Sequence, residues 1–202
     1  GREVTIRNDI PRVDVNGEIM DSHSQSLLFV NGTWFLYGEL YGNVTGPAQG
    51  WHTNPKIGLY TSPDLENWTF RGEVLETNTT QWVPCVIYDA SRGRFVMWYG
   101  EGYWGIATSE DGYRFELVAQ NVRSRIFEAR TDGNALLVDE DGSGYVVFAD
   151  YVPGDSKLNH LVSIERLTTD YLNTTHENVT GFFPDGFVEG AVVWKRQGRY
   201  YV

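Results

Sequence analysis

Gly58-Leu59-Tyr60-Thr61-Ser62-Pro63-Asp64, followed by Trp68, returns about 50 residues later as Gly105-Ile106-Ala107-Thr108-Ser109-Glu110-Asp111, followed by Phe115. A looser copy is Leu161-Val162-Ser163-Ile164-Glu165-Arg166-Leu167, followed by Asp170. Between these copies runs a second recurring element, a hairpin with glycine in its turn and an aromatic just after it. It reads Gly32-Thr33-Trp34, Gly93-Arg94-Phe95, Gly142-Ser143-Gly144-Tyr145 and Gly198-Arg199-Tyr200. Short strands repeating at this period predict an all-β fold, a β-propeller. Propellers carry their chemistry in the central channel, where the innermost strand of each blade begins.

Working outward, the first blade spans about 22–76, the second 81–119 and the third 130–172, and a fourth begins near 188. Ser26 to Val30 and Trp34 to Tyr37 flank an Asn31-Gly32 turn, a hairpin by pattern. Arg94 to Tyr99 and Gly144 to Phe148 repeat its second strand with the same aromatic and β-branched richness. Residues 39–56 form a long Gly/Pro/Asn-rich insertion, the kind usually kept for function or left disordered. Residues 173–187 read as a linker. The only helical pattern is a short turn around Asp170-Tyr171-Leu172. About three and a half blades cannot close a ring, so the natural protein is expected to run about 100 residues or more past Val202.

Composition narrows the function. The 202 residues carry 16 Lys plus Arg against 27 Asp plus Glu, a net charge of −11. Nucleic acid and anionic membrane surfaces are poor partners for such a chain. No apolar run approaches the roughly 20 residues of a membrane span. Cys85 is the only cysteine, which excludes an intrachain disulfide and a cysteine zinc site. It lies in an apolar run and reads as a core thiol. Asn-x-Ser/Thr sequons occur at Asn31, Asn43, Asn67, Asn78, Asn173 and Asn178. That excess favours a secreted or lumenal, N-glycosylated eukaryotic protein.

Counting eleven residues back from the post-turn aromatics gives His23, Pro84 and Glu189, and thirteen back in the third blade gives Asp132. Equivalent register puts His23, Asp132 and Glu189 near one end of the channel. Two carboxylates facing one cavity is the constellation for glycoside hydrolysis, one protonating the leaving oxygen and the other serving water or attacking. Glu189 opens an apolar run, Glu189 to Trp194, whose desolvation would raise its pKa as a general acid requires. A solvated strand end is the competing reading. Asp132, in Thr131-Asp132-Gly133-Asn134, reads by itself as a turn former.

At this point the chain resembles the family 43 glycoside hydrolases, five-bladed propellers that cleave plant polysaccharides, and most of all the branch holding the exo-β-1,3-galactanases. The resemblance rests on His23-Ser24-Gln25-Ser26 with Tyr37-Gly38-Glu39, on Asp64-Leu65-x-Asn67-Trp68, and on Val86-Ile87-Tyr88 with Phe95-Val96-Met97-Trp98. Leu137 to Gly142, and Glu189 with Gly198-Arg199-Tyr200-Tyr201, complete it. It implies an inverting hydrolysis of galactose- or arabinose-containing polysaccharide. Glu189 matches the general acid and Asp132 the residue that tunes its pKa. The family's blade-one aspartate falls near Ser24, so Asp21 is the nearby candidate base. A family glutamate in blade two falls at Trp82, which could instead stack on a sugar. His23 could bond a sugar hydroxyl, and so could Glu39.

Some members hold a channel calcium, but no residue cluster indicates a metal here, and no cofactor is expected. A monomer with a poly- or oligosaccharide substrate is the leading expectation. A catalytically silent sugar-binding propeller and a protein-interaction propeller are the alternatives. A sialidase-like propeller fits less well, because its Asp-box spacing is not met at Ser109-Glu110-Asp111-Gly112.

Overall fold

The computed structural model describes residues 3–7, 9–42, 55–124, 126, 131–151, 160–183 and 188–202, apart from the side chains of Asp132, Asp150, Tyr151 and His160. Three four-stranded sheets follow one another along the chain. The first holds β1 (His23–Val30), β2 (Thr33–Leu40), β3 (Lys56–Ser62) and β4 (Thr69–Glu73). The second holds β5 (Cys85–Asp89), β6 (Arg94–Tyr99), β7 (Trp104–Ser109) and β8 (Glu116–Val122). The third holds β9 (Thr131–Val138), β10 (Gly144–Tyr151), β11 (His160–Leu167) and β12 (Thr174–Phe182). A hairpin of β13 (Trp194–Arg196) and β14 (Arg199–Tyr201) ends the chain. Within each sheet the strands lie in sequence order and all pairs are antiparallel.

The sheets pack face against face, each interface filled by the apolar side of two neighbours. Tyr37, Leu59, Val86, Phe95 and Met97 join the first sheet to the second. Trp98, Trp104, Val146 and Phe148 join the second to the third. Val147 and Val162 carry the same packing on to Ala191. Inner strands are tied directly. The Val86 N–H donates to Ser26 Oγ at 3.0 Å, and the Leu136 N–H to Cys85 Sγ at 3.1 Å.

A second tie also repeats. Tyr37 Oη on β2 donates to Gly112 O in the second sheet's outer turn, and Trp98 Nε1 on β6 donates to Tyr171 O in the third sheet's outer turn, both at 2.8 Å. Those outer turns are one motif: Ser62 with Asp64, Ser109 with Asp111 and Thr168 with Asp170 each bond side chain to side chain. Sheets fanned with their first strands side by side form a partial β-propeller, as the repeat predicted.

Two expectations need correction. In place of the linker expected at 173–187, Thr174–Phe182 forms β12, the outer strand of the third sheet, so that blade runs past 172. After Thr174 this strand is almost wholly exposed, and an edge strand with no buried face shows no hydrophobic alternation to read. The inner strand expected from Glu189 begins only at Trp194. Only Trp194–Arg196 pairs there, because β14 offers partners from Arg199 to Tyr201 alone. The insertion expected at 39–56 lies largely outside the described residues. Its described ends continue β2 to Leu40 and start β3 at Lys56.

Candidate active site

The inner strands begin around a cavity of about 950 Å³. Ser24 and Ser26 on β1, Pro84 and Cys85 at the start of β5, Gly133 to Leu136 on β9, and 189–193 form its wall, with Tyr41 and Glu101 from the loops after β2 and β6. The repeat register thus located the mouth of the channel to within a residue or two: β1 begins at His23, β5 at Cys85 and β9 at Thr131.

Glu189 lines this cavity and is exposed on its wall. Its neighbour Gly190 sits against Gly133, with a φ of +64° against +58°. Gly133 is the extra residue of a β-bulge: Asn134 pairs with Phe148 and Asp132 with Ala149, leaving Gly133 unmatched. A side-chain carbon on Gly133 would lie 3.3 Å from the Gly190 nitrogen. Backbone therefore meets backbone directly between the two sequence positions expected to carry the acid and its partner. Asp132 is the second residue of β9, and its side chain lies outside the described residues.

Asp21 does not line the cavity. Its carboxylate accepts the N–H groups of Tyr41 at 3.0 Å and Gly42 at 2.7 Å, and His23 Nε2 lies 3.3 Å away. His23 stacks on Tyr41, ring centroids 3.9 Å apart. Asp21 and His23 together brace the chain as it leaves β2. Glu39 is 2 % exposed and accepts the Val83 N–H at 2.7 Å. It holds Val83 at a φ of +46°, a costly conformation for a β-branched residue. Glu39 thus closes the seam between the first two sheets. Burial, the bond to Glu39 and its charge push the Tyr41 phenol up to about 12. Trp82 is not on the central wall either; it lines a smaller cavity beside it.

Sequence reasoning missed two residues on the central wall. Glu101 is one, and its signal was present: Tyr37-Gly38-Glu39 recurs as Tyr99-Gly100-Glu101. In the first sheet the ladder continues through Gly38 and Glu39, which pair with Gly58 and Ile57. In the second, pairing stops at Tyr99 and Gly100 turns to a φ of +109°. The same tripeptide therefore buries one glutamate in a seam and delivers the other to the cavity. Asn134 is the second. It is 6 % exposed, lines the cavity, and neither amide atom has a hydrogen-bond partner among the described residues. Burial of that kind is costly unless a polar group arrives to pair with it. Among the described residues no group of three His, Cys, Asp or Glu is placed to hold a metal ion.

Neither a family model nor a curated protein matches the chain. Solved structures do. A family 43 β-1,3-galactosidase bound to galactodeoxynojirimycin superposes with a TM-score of 0.76 at 22% identity over 96% of this chain. The exo-β-1,3-galactanase of Clostridium thermocellum gives 0.72 at 25% over 96%. That of Phanerochaete chrysosporium, a variant holding β-1,3-galactotriose, gives 0.73 at 20% over 95%. The chain spans 71% of the first of these proteins but only 44% and 45% of the other two. Over nearly all of its length, the chain has the propeller fold of the family 43 β-1,3-galactosidases and exo-β-1,3-galactanases.

Proposed function

We propose that the protein is a glycoside hydrolase that removes galactose from β-1,3-linked galactan or a related arabinose-containing polysaccharide, with inversion. The observation that carries this reading is the central cavity, with Glu189 and Glu101 on its wall and the Asp132-Gly133 step packed on Gly190. Glu189 protonates the glycosidic oxygen as the bond to the anomeric carbon breaks. Asp132 tunes Glu189 and contacts the sugar. Water attacks the anomeric carbon from the opposite face and gives its proton to a carboxylate. Glu101 suits that base better than Asp21, because Glu101 stands on the cavity wall and Asp21 does not.

The substrate of choice for the test is the β-1,3-galactotriose held by the Phanerochaete protein. Glu189→Gln should lower galactose release at least 100-fold, and the first product seen by NMR should be the α-anomer. Glu101→Gln should fall as far, while Asp21→Asn should lose thermal stability before turnover. Unchanged turnover in Glu189→Gln overturns the acid assignment. The occupied carboxylate of Asp21 and the tryptophan at position 82 favour a second reading, a sugar-binding propeller without activity. Galactotriose binding with no sugar released by the wild type selects it.

A secreted, N-glycosylated eukaryotic protein is part of the same proposal. Asn31, Asn67, Asn78, Asn173 and Asn178 are all exposed, as glycosylation requires. Expression through a eukaryotic secretory route should give a product whose mass falls on treatment with an N-glycanase; an unmodified product refutes this part.

A further inference from the structure

Glu101 stands between two left-handed glycines, Gly100 at a φ of +109° and Gly102 at +79°. A side-chain carbon on Gly100 would lie 2.6 Å from the Tyr103 carbonyl oxygen, so the loop closes too tightly there for any other residue. Each glycine gives its N–H to a different neighbour. Gly100 donates to Trp82 O at 2.6 Å, ahead of β5, and Gly102 donates to Thr131 O at 2.7 Å, at the start of β9. The matching Gly38 and Glu39 of the first sheet stay in their own ladder instead.

Thr131 leads into Asp132 and Gly133, and Gly133 rests on Gly190, the residue after Glu189. Backbone contacts thus run from Glu101 to Asp132 and on to Glu189. Gly102 and Thr131 are both buried, so water does not compete for the bond between them. Glu101 itself is exposed, and its carboxylate is aimed chiefly by where its backbone is held. A general base has to meet the proton of the attacking water, and a misplacement of about 1 Å can cost about 100-fold.

We propose that the Gly102–Thr131 hydrogen bond places the catalytic base: Gly102 is a positioning residue that registers Glu101 against Asp132 and, through Gly133 and Gly190, against Glu189. The inference rests on the hydrolase reading, with Glu101 as its base. Alanine is strained in the left-handed region. Relief of that strain at position 102 draws the amide off Thr131 O and turns Glu101 away from the water, while Glu189 stays where Gly190 holds it.

The test is sugar release by the full chain from β-1,3-galactotriose, with and without sodium azide. Gly102→Ala should lower kcat at least about tenfold and change KM less than about threefold, because a base acts only in the transition state. Gly72→Ala, on β4 at a φ of +94° with nothing within 4 Å, carries the same backbone strain and should stay within about twofold of the wild type. Azide needs no base. It attacks the anomeric carbon, the bond to the glycosidic oxygen breaks, and that oxygen takes the proton of Glu189, giving α-galactosyl azide and galactobiose. Azide should therefore restore cleavage in Gly102→Ala, as in Glu101→Ala, but not in Gly133→Ala, where the acid is displaced. Amide exchange followed by NMR reads the bond in the wild type, whatever the folding of the variants. The Gly102 N–H should exchange at least about 100-fold slower than an unprotected amide. Gly102→Ala as active as Gly72→Ala, a loss that azide leaves unrepaired, or a freely exchanging Gly102 amide overturns the positioning role, with hydrolysis by the wild type leaving the hydrolase reading intact. A wild type that releases no galactose sinks the hydrolase reading itself, and the positioning role falls with it.

Discussion

Gly133 shows how much of the site depends on one missing side chain. Its φ of +58° and its approach to Gly190 are separate demands. Gly133→Ala pays about 1–2 kcal/mol for the left-handed backbone. It also forces a carbon to within 3.3 Å of the Gly190 nitrogen, which pushes Glu189 away from the bulge. Gly17→Ala is the control: its φ of +84° carries the backbone cost, and nothing lies within 4 Å. Both variants should lose thermal stability, measured by calorimetry, Gly133→Ala the more of the two, but only Gly133→Ala should lose sugar release or binding. Equal function in the two would show that the glycine contact positions nothing. This contact was not legible in the sequence, because Asp132-Gly133 reads as an ordinary turn until the ladder shows a bulge. The starts of β1, β5 and β9 were legible, since the post-turn aromatics fix their register, but the same count gives Glu189 where β13 begins only at Trp194. Glu101 was half legible: the repeated Tyr-Gly-Glu was on view, but only the left-handed Gly100 separates its cavity role from the seam role of Glu39.

Between elements, the ties that repeat from sheet to sheet are polar, and Asp89 anchors a further polar link, from the second sheet to the third. It is 1 % exposed, accepts Ser91 Oγ–H and Arg92 Nη1 at 3.0 Å, and lies 3.7 Å from Arg94. The same arginines reach on to the third sheet, donating to Thr169 O and Asp170 O. Burial raises the Asp89 carboxyl, but the Ser91 and Arg92 hydrogen bonds and the guanidinium charge more than offset it, and its pKa falls below the ordinary value. Asp89→Ala should cost about 3 kcal/mol, the lower end for breaking a buried pair because Arg92 is partly solvated. A carboxyl depressed by folding contributes stability above its unfolded pKa of about 3.9 and loses it as pH falls through the depressed value. Asp111 and Asp170 in the outer turns are depressed too, so stability should fall steeply on the acid side of pH 4. Asp89→Ala should show a shallower acid loss in urea titrations at several pH values. A slope equal to that of the wild type would mean the clamp is not made. Two of the outer turns were readable as Ser-x-Asp copies, at Ser62-Pro63-Asp64 and Ser109-Glu110-Asp111, whereas β12 was not readable, because an exposed edge strand leaves no apolar signature.

Across the whole molecule, the fan of sheets ends in two unlike apolar faces. At one end, Leu27 and Phe29 on β1 are 51% and 55% exposed. At the other, Val179 and Phe182 on β12 and Trp194 on the terminal hairpin are exposed. Each sheet between them hides such residues against a neighbour, and in a closed ring every face would be covered. The two end faces differ in sequence and shape, so a contact between them is not self-complementary and does not close after one step. The 202-residue chain by itself should therefore associate at about micromolar concentration and above, with the sedimentation coefficient climbing continuously rather than halting at a dimer. Leu27→Thr with Phe29→Thr keeps the β-favouring character of β1 while removing one of the two faces. That double variant should sediment as a monomer and melt within a few degrees of the wild type, since neither side chain is buried in the core. A wild-type chain that stays monomeric at every concentration, or a double variant that associates equally well, would show that the ends of the fan are not what brings molecules together.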